Sequence, residues 1–248
     1  MNPLRRKVIL AFIQARRGSS RLPDKILLDL AGEPMLARVV NRCRRAKMID
    51  DVIIATTTNI LDDITVQMAN AKAWPFFRGS ENDVLDRYYQ AVKNFPADVI
   101  VRITADCPCI SPELIDQITQ EFLDREPLDY ASNTIPPRTF PRGLDVEVLS
   151  FSALEIAWQE DKNPAWREHV TPFIYFNPGR FRLHAVRNPT DYSSMRWTVD
   201  TQEDYELMRN IYCHFGHDQF SWQDILKLLA QHPDWQEINR MAIQKPIV

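Results

Sequence analysis

Apolar runs alternating with amphipathic segments predict an α/β protein: a Rossmann-like, three-layer fold on a mostly parallel central sheet, with a small hairpin excursion. Three observations carry this expectation. Val8–Ile13 and Asp98–Thr104 are near-continuous apolar runs of strand length, as strands buried on both faces require. Segments with apolar residues at helical spacing lie between such runs. The strand-helix alternation repeats over roughly 120 residues, which right-handed crossovers join into a parallel sheet.

The elements follow in order. Val8–Ile13 is the first strand. Pro34–Lys47 sets Met35, Leu36, Val39, Val40 and Cys43 at helical spacing, with Pro34 suited to the first turn. Asp51–Thr56 reads as a strand, Leu61–Lys72 as a helix and Pro75–Arg78 as a short strand. Ser80, with Asp83 three residues on, forms an N-cap pair for a helix through Val84, Leu85, Tyr88, Val92 and Phe95. Asp98–Thr104 leads to a helix over Ser111–Leu123, with Ser111 as cap and Pro112 at its first position. The second half offers short strands at Tyr130–Thr134, Leu144–Leu149, Phe181–Val186 and Arg196–Val199. Its helices are Phe151–Glu160, Asp204–Phe215 and Ser221–Gln231, and residues 135–143 form a proline-rich loop. No internal repeat, low-complexity tract or linker interrupts the chain, so residues 1–248 read as one domain with a helical tail over 216–248.

Composition narrows the function. The formal net charge of −3 supplies no overall basic field for a polynucleotide, so nucleic acid is not an expected partner. No segment approaches the ~18 apolar residues of a membrane span. Met1–Lys7 is basic, but Val8–Ile13 is too short for a signal peptide and Gln14, Arg16 and Arg17 follow it, so the expected location is the cytoplasm. Cys43, Cys107, Cys109 and Cys213 contain no CxxC pair and read as reduced thiols. His214 and His217 stand beside Cys213 without a partnering carboxylate, which disfavours a metal site there.

The richest chemistry lies in Gln14–Lys25, which holds Arg16, Arg17, Arg21 and Lys25 together with Gly18, Ser19 and Ser20. In open α/β sheets ligands bind beyond the carboxyl ends of strands. Those ends are Gln14–Lys25, Thr56–Asn59, Arg78–Gly79 and Thr104–Pro108. A triphosphate needs inward-facing backbone N–H groups and neutralising cations, and this segment offers both. It is neither GxxxxGK[ST] nor GxGxxG. A second cluster, Arg138, Arg142, Asp145 and Glu147, surrounds the proline-rich loop, where arginines suit a carboxylate or phosphate. Arg167, Glu168 and His169 form a further polar triplet, in which His169 is either a general base or a core histidine. Arg102 fits a pocket or a structural ion pair equally, and Asp83 and Asp86 read as helix-face charges.

Ala15-Arg16-x-Gly18-Ser19-x-x-Leu22-Pro23-x-Lys25, followed by Leu30-Ala-Gly32-x-Pro34-Met-Leu36, resembles the opening of the CMP-sugar synthetases, the acylneuraminate and KDO cytidylyltransferases. Phe77–Tyr89, Val101–Pro108, Gly143–Glu147, Arg167–Pro172 and Arg196–Tyr205 resemble their spore-coat polysaccharide biosynthesis protein F branch. The likeness spans about residues 7–215 and implies a nucleotidyltransferase fold. It implies that CTP and a small anionic sugar react with release of pyrophosphate, for a surface polysaccharide. Lys25 matches the family lysine on the triphosphate, and Arg16 with Gly18–Ser19 matches its phosphate cradle. Gln14, Ala15, Arg21, Arg78, Ser80 and Thr104 are expected at the same implied nucleotide site. Asp106 and Asp200 match the carboxylates that hold Mg²⁺ in the family, although each alone also fits a helix start. The acceptor site implied between the excursion and the polar triplet takes Arg138, Arg142, Asp145, Glu147, Arg167 and His169. Ile26 stands where asparagine usually follows the lysine, and Ser20 where lysine is common, with Arg21 to supply the charge instead. The resemblance also implies a homodimer, with Phe140 and the aromatic Trp166–Tyr175 stretch as apolar surface. A nucleotide-sugar glycosyltransferase is the alternative, but its usual D-x-D is replaced by Thr-Ala-Asp106-Cys-Pro.

Overall fold

The computed structural model describes residues 6–19, 21–125 and 127–244, so most of the basic N-terminal segment, and Ser20, lie outside the described residues. In chain order the elements are β1 (Ile9–Gln14), the two-residue strands β2 (Asp29–Leu30) and β3 (Glu33–Pro34), α1 (Met35–Cys43), β4 (Asp51–Thr57), α2 (Asp63–Ala71) and β5 (Phe76–Gly79). Next come α3 (Val84–Asn94), β6 (Val99–Thr104), α4 (Pro112–Asp124), β7 (Tyr130–Ser132) and β8 (Glu147–Ser150). The chain continues with α5 (Phe151–Glu160), α6 (Pro164–His169), α7 (Pro172–Tyr175), β9 (Leu183–Ala185), α8 (Gln202–Phe215), α9 (Trp222–Gln231) and α10 (Pro233–Glu237).

The main sheet has seven strands in the order β5-β4-β1-β6-β8-β7-β9. Strands β5, β4, β1 and β6 are parallel, while β8 runs antiparallel to β6 and to β7. Alternate residues of β1 face two cores. Ile9, Ala11 and Ile13 join one with residues of α1, α4, α8 and α9; Leu10 and Phe12 join the other with residues of α3 and α5. This two-sided burial is what a continuous apolar strand calls for, and it produces three layers. Gln14 stands opposite Thr104 of β6 and Ala55 of β4, so the loops after β1, β4 and β6 emerge side by side.

Several expected elements shift. Pro34 is extended and precedes the helix rather than entering it, and α1 stops at Cys43. The cap of α3 is Asp83, whose side chain accepts from the Asp86 amide; Ser80 in turn accepts from the Asp83 amide. Arg196–Val199 is not a strand. Its amides are divided between two loops: Trp197 N donates to Arg142 O (2.6 Å) and Val199 N to Asp106 O (2.8 Å), so no ladder can form. The hairpin of β2 and β3, and the short helices α6, α7 and α10, were not anticipated. Each of those helices is under seven residues and starts on a proline, too short to leave a periodic signature. Phe140 is buried and meets the ring of Trp222 at 5.8 Å, so it is part of the core and not of an apolar surface.

The excursion between β7 and β8 is seated through Gly143, which adopts φ +99°. A Cβ there would lie 2.4 Å from the Trp197 carbonyl carbon. Gly143→Ala is therefore expected to cost about 3 kcal/mol through combined strain and overlap. Urea unfolding followed by tryptophan fluorescence measures this, and a loss below about 0.5 kcal/mol would contradict the close seat.

Candidate active site

The centre of the site is the side chain of Lys25, at the start of a 3-10 turn over Lys25–Leu27. Its Nζ donates to Asp106 Oδ2 (2.8 Å), Asp200 Oδ1 (2.8 Å) and the Val199 carbonyl (2.9 Å). Asp106 follows β6, while Asp200 sits in the segment before α8, and the two meet because Val199 N bonds to Asp106 O. Three chain segments thus converge on one ammonium at the carboxyl end of the parallel strands. Burial disfavours the charge on Lys25, but the two carboxylates outweigh it and raise its pKa. Burial likewise pushes against the Asp106 anion; Lys25 and the Thr104 hydroxyl outweigh it and hold the carboxyl at about 2.

Asp200 is held from behind. Arg196 donates through Nη2 to Asp200 Oδ2 (2.9 Å) and through Nε to the fully buried Asp204 (2.8 Å). Arg21 adds a contact to Asp200 Oδ2 at 3.1 Å. Asp204 accepts the amides of Asp200 and Thr201 (3.0 and 3.1 Å) and closes the capping box that opens α8. Arg196 was read as part of a strand and of the Arg196–Tyr205 resemblance, without a role of its own; its spacing of four and eight residues from two aspartates was the available signal.

The basic loop after β1 is tied down by carboxylates. Arg16 bonds Glu168 (3.0 Å) and the Glu81 carbonyl (3.5 Å). Arg17 pairs with Asp24 (2.7 Å) while its amide bonds Asp62 (2.8 Å). Ala15 continues the β1–β4 pairing through its amide, and Gly18 lies against the Glu81 side chain, where a Cβ would come within 3.1 Å. Ser19 turns the loop, its hydroxyl facing the Leu22 amide at 3.4 Å. The Gln14 side chain accepts from Arg102 (2.9 Å). Arg17, Asp62, Glu81, Glu168 and Arg196 are contributors that sequence reasoning passed over or left without a role.

Other expected contacts are occupied by the protein itself. The Arg78 guanidinium bonds the Thr57 and Asn59 carbonyls (2.8 and 2.9 Å) and Asp63 (2.7 Å), which makes it a brace for the loop after β4. Ser80 is spent on the Asp83 amide and, through its carbonyl, on Arg87. Glu147 is buried in an ion pair with Arg102, and its second oxygen accepts from Tyr130 (2.8 Å) and Thr171. It supports the sheet rather than facing an acceptor. Arg102 is thereby the structural ion-pair partner. Arg138 forms a two-point pair with Asp145, one contact at 3.0 Å, and Asp145 also receives the Gly143 amide. Arg167 bonds Asp83 (2.8 Å) and the Trp158 and Asp161 carbonyls (3.0 and 2.9 Å). It lines a different cleft of about 570 Å³, with Asp86, Trp158 and Lys162.

Two of the expected acceptor residues remain uncommitted. The Arg142 side chain has neither a hydrogen bond nor an ion pair among the described residues, although its backbone is bridged to Arg196. Burial, then the neighbouring Arg138 and Arg196, push its pKa down, so an anion placed there would be favoured. His169 is half-buried; burial first, then Arg102, hold it below the ordinary histidine range despite Glu168 and Glu147. Among the described residues no group of three or more His, Cys, Asp or Glu converges for a metal, including Cys213, His214 and His217. Two hard carboxylates that already share one cation do fit Mg²⁺, which keeps several waters.

The mostly parallel seven-stranded sheet flanked by helices is an α/β nucleotidyltransferase fold. The chain belongs to the cytidylyltransferase family, whose profile matches residues 10–235. It is 40% identical over 240 residues to an uncharacterised protein of Methanocaldococcus jannaschii, covering 96% of each chain. It is 33% identical to the spore coat polysaccharide biosynthesis protein SpsF of Bacillus subtilis, covering 91% of this chain and 95% of the other. Among solved structures, a cytidylyltransferase of Leptospira borgpetersenii serovar Hardjo-bovis superposes with a TM-score of 0.89 at 34% identity, over 93% of this chain and 97% of that one. Among the described residues no helix is long and apolar enough to cross a membrane.

Lys25→Met leaves two carboxylates facing each other without their cation. The expected loss at pH 7 is roughly 3 kcal/mol, the scale for removing one partner of a buried pair. The Asp106 share is complete above about pH 4, the unfolded value, and fades as pH falls through about 2. The raised Lys25 pKa preserves its share until pH rises beyond about 10. Urea unfolding of both proteins from pH 2 to 8 tests this, and a stability gap that stays flat through the acid range would contradict the linkage.

Proposed function

We propose that this chain transfers the CMP group of CTP to a small sugar acceptor carrying a carboxylate or phosphate. The observation that carries the reading is the convergence of Lys25, Asp106 and Asp200 from three segments at the strand ends. Membership of the cytidylyltransferase family supports CTP as donor, and similarity to SpsF supports a product destined for a surface polysaccharide. The cytoplasm, where CTP is made, is the proposed location.

In this reading the triphosphate lies along Ala15–Ser19, where Lys25, Arg16 and Arg21 exchange their carboxylate partners for phosphate oxygens. An acceptor oxygen attacks the α-phosphorus, the bond from that phosphorus to the bridging oxygen breaks, and pyrophosphate carries away the charge that Lys25 stabilises. Where the acceptor is a hydroxyl, His169, neutral near pH 7, takes its proton. Arg142 receives the acceptor's anionic group, while Arg138 and Asp145 hold the excursion in shape. Asp106 and Asp200 would hold Mg²⁺, which when bound would neutralise phosphate charge and favour attack on phosphorus. Alignment of the reactants supplies much of the acceleration.

Arg142→Ala is expected to raise the acceptor KM at least tenfold, since a charge-assisted contact is worth about 1.5–3 kcal/mol, with CTP affinity within twofold of the parent. Asp106→Asn and Asp200→Asn are expected to move the Mg²⁺ requirement to higher concentration. Pyrophosphate release, titrated separately in CTP, acceptor and Mg²⁺ across a panel of acidic sugars, reads all three. Release with UTP, GTP or ATP in preference to CTP would overturn the donor assignment, and an Arg142→Ala protein that loses CTP binding would move that arginine to the nucleotide.

The same reading includes a homodimer. The Trp166 and Phe176 rings lie 5.5 Å apart with their planes tilted by 33°, and Phe176 is 54% exposed, which supplies an apolar contact for a second copy. Sedimentation equilibrium at micromolar concentration is expected to give the mass of two chains, falling to one in Phe176→Glu; a parent protein with the mass of one chain excludes the dimer.

A further inference from the structure

The C-terminal segment beyond α10 returns to the site, and its contacts there are polar. Asn239, buried immediately after the core-packed Ile238, donates through Nδ2 to the Arg196 carbonyl (2.9 Å) and to Asp204 Oδ1 (2.8 Å). Gln244 Oε1 accepts from Arg196 Nη1 (2.7 Å), and the Ile243 carbonyl stands 3.5 Å from Arg21 Nη1. The apolar side chains of the same stretch, Met241 and Ile243, are 87% and 82% exposed. A tail recruited for packing would bury its methionine and isoleucine and leave its amides in water. Here Asn239 is buried while Met241 and Ile243 stand in water.

The contacts form a chain that ends on Asp200. Asp204, fully buried, takes Asn239 on Oδ1 and holds the Asp200 and Thr201 amides on Oδ2. Arg196, oriented on one side by Gln244 and by its own carbonyl's bond from Asn239, presents Nη2 to the Asp200 carboxylate. Hydrogen bonds in such a buried network reinforce one another, and a missing donor leaves a charged oxygen underpaired. Asn239 suits the position because it donates without adding charge; an aspartate there would oppose Asp204.

We infer that Asn239 and Gln244 are positioning residues that fix the backbone and carboxylate of Asp200 for its cation. The cation part of this inference rests on the proposed function; the fixing of Asp200 does not. Two variants test it in the full-length chain: Asn239→Leu, which keeps the volume without the donor, and Gln244→Ala, at an exposed site where folding is not at risk. The first readout is hydrogen exchange of the Asp200 and Thr201 amides by NMR. About tenfold faster exchange is expected in Asn239→Leu and about threefold in Gln244→Ala, with α4 and α9 amides unchanged. The second is Mn²⁺ affinity in the presence of CTP, followed by electron paramagnetic resonance, with weakening by the same factors while CTP binding without metal stays within twofold. Parent-like exchange in both variants overturns the inference, and so does an accelerated exchange spread evenly over the whole molecule. Should Asn239→Leu not fold, Gln244→Ala decides alone. A parent protein that binds no Mn²⁺ with CTP refutes the cation site and leaves the exchange arm to judge the positioning.

Discussion

Two carboxylates at the end of a sheet repel each other unless a cation sits between them. Here the Lys25 ammonium bonds Asp106 and Asp200 at equal distance and takes the Val199 carbonyl as its third acceptor. Asp106 is 81 residues from Lys25 and Asp200 is 175 away, so this one group ties the loop after the first strand to the middle and the last third of the chain. The buried ion pair of Arg102 and Glu147, the Arg196 clamp and the seat of Gly143 against Trp197 all serve to bring those segments within reach of it. The sheet supplies the frame, because parallel register sets Gln14, Ala55 and Thr104 level and delivers their following loops to one edge.

The basic loop gains a different meaning in this setting. From the sequence it is a cluster of unbalanced cations; in the fold Arg16, Arg17, Arg21 and Lys25 each meet a carboxylate. These pairings bring the net charge around the four cations near zero. Exposed pairs of this kind contribute little to stability, typically below about 1 kcal/mol, so exchanging them for phosphate contacts costs the fold little. The Lys25 centre is the exception, since it is mostly withdrawn from water.

The parallel half of the fold was legible because its signals are local. A doubly buried strand such as β1 must be apolar throughout, and Ser111 with Pro112 marks a helix start by its own chemistry. Asp106 and Asp200 were legible as a pair because each lies within a motif of the resemblance, Val101–Pro108 and Arg196–Tyr205. What was illegible depended on partners far along the chain. Nothing near Arg78, Arg167 or Glu147 in sequence announces Asp63, Asp83 or Arg102 as their counter-charges, so three residues that looked free for ligands are braces. Arg196–Val199 has the apolar alternation of a strand, yet its amides go to two separate loops. Arg142 stood out from Arg138 only once Asp145 was seen to take the latter. Asn239 lies beyond the span of the resemblance and had no motif to reveal it.

The seat of Gly143 separates two kinds of sequence freedom. The excursion is anchored at its far end by that glycine against the Trp197 peptide and by the Arg142–Arg196 bridge, while Asn133 secures its near end through Val146 and Leu144. Residues 134–137 therefore form a cassette between two fixed anchors, ahead of Arg138, which Asp145 holds, and Phe140, which packs in the core. Exchanging the cassette, in a laboratory graft or by natural drift, can recast the shape offered to an incoming sugar without disturbing the carboxylates. Moving either anchor would shift both at once. Modularity in this molecule thus has its boundary at a single Cα hydrogen.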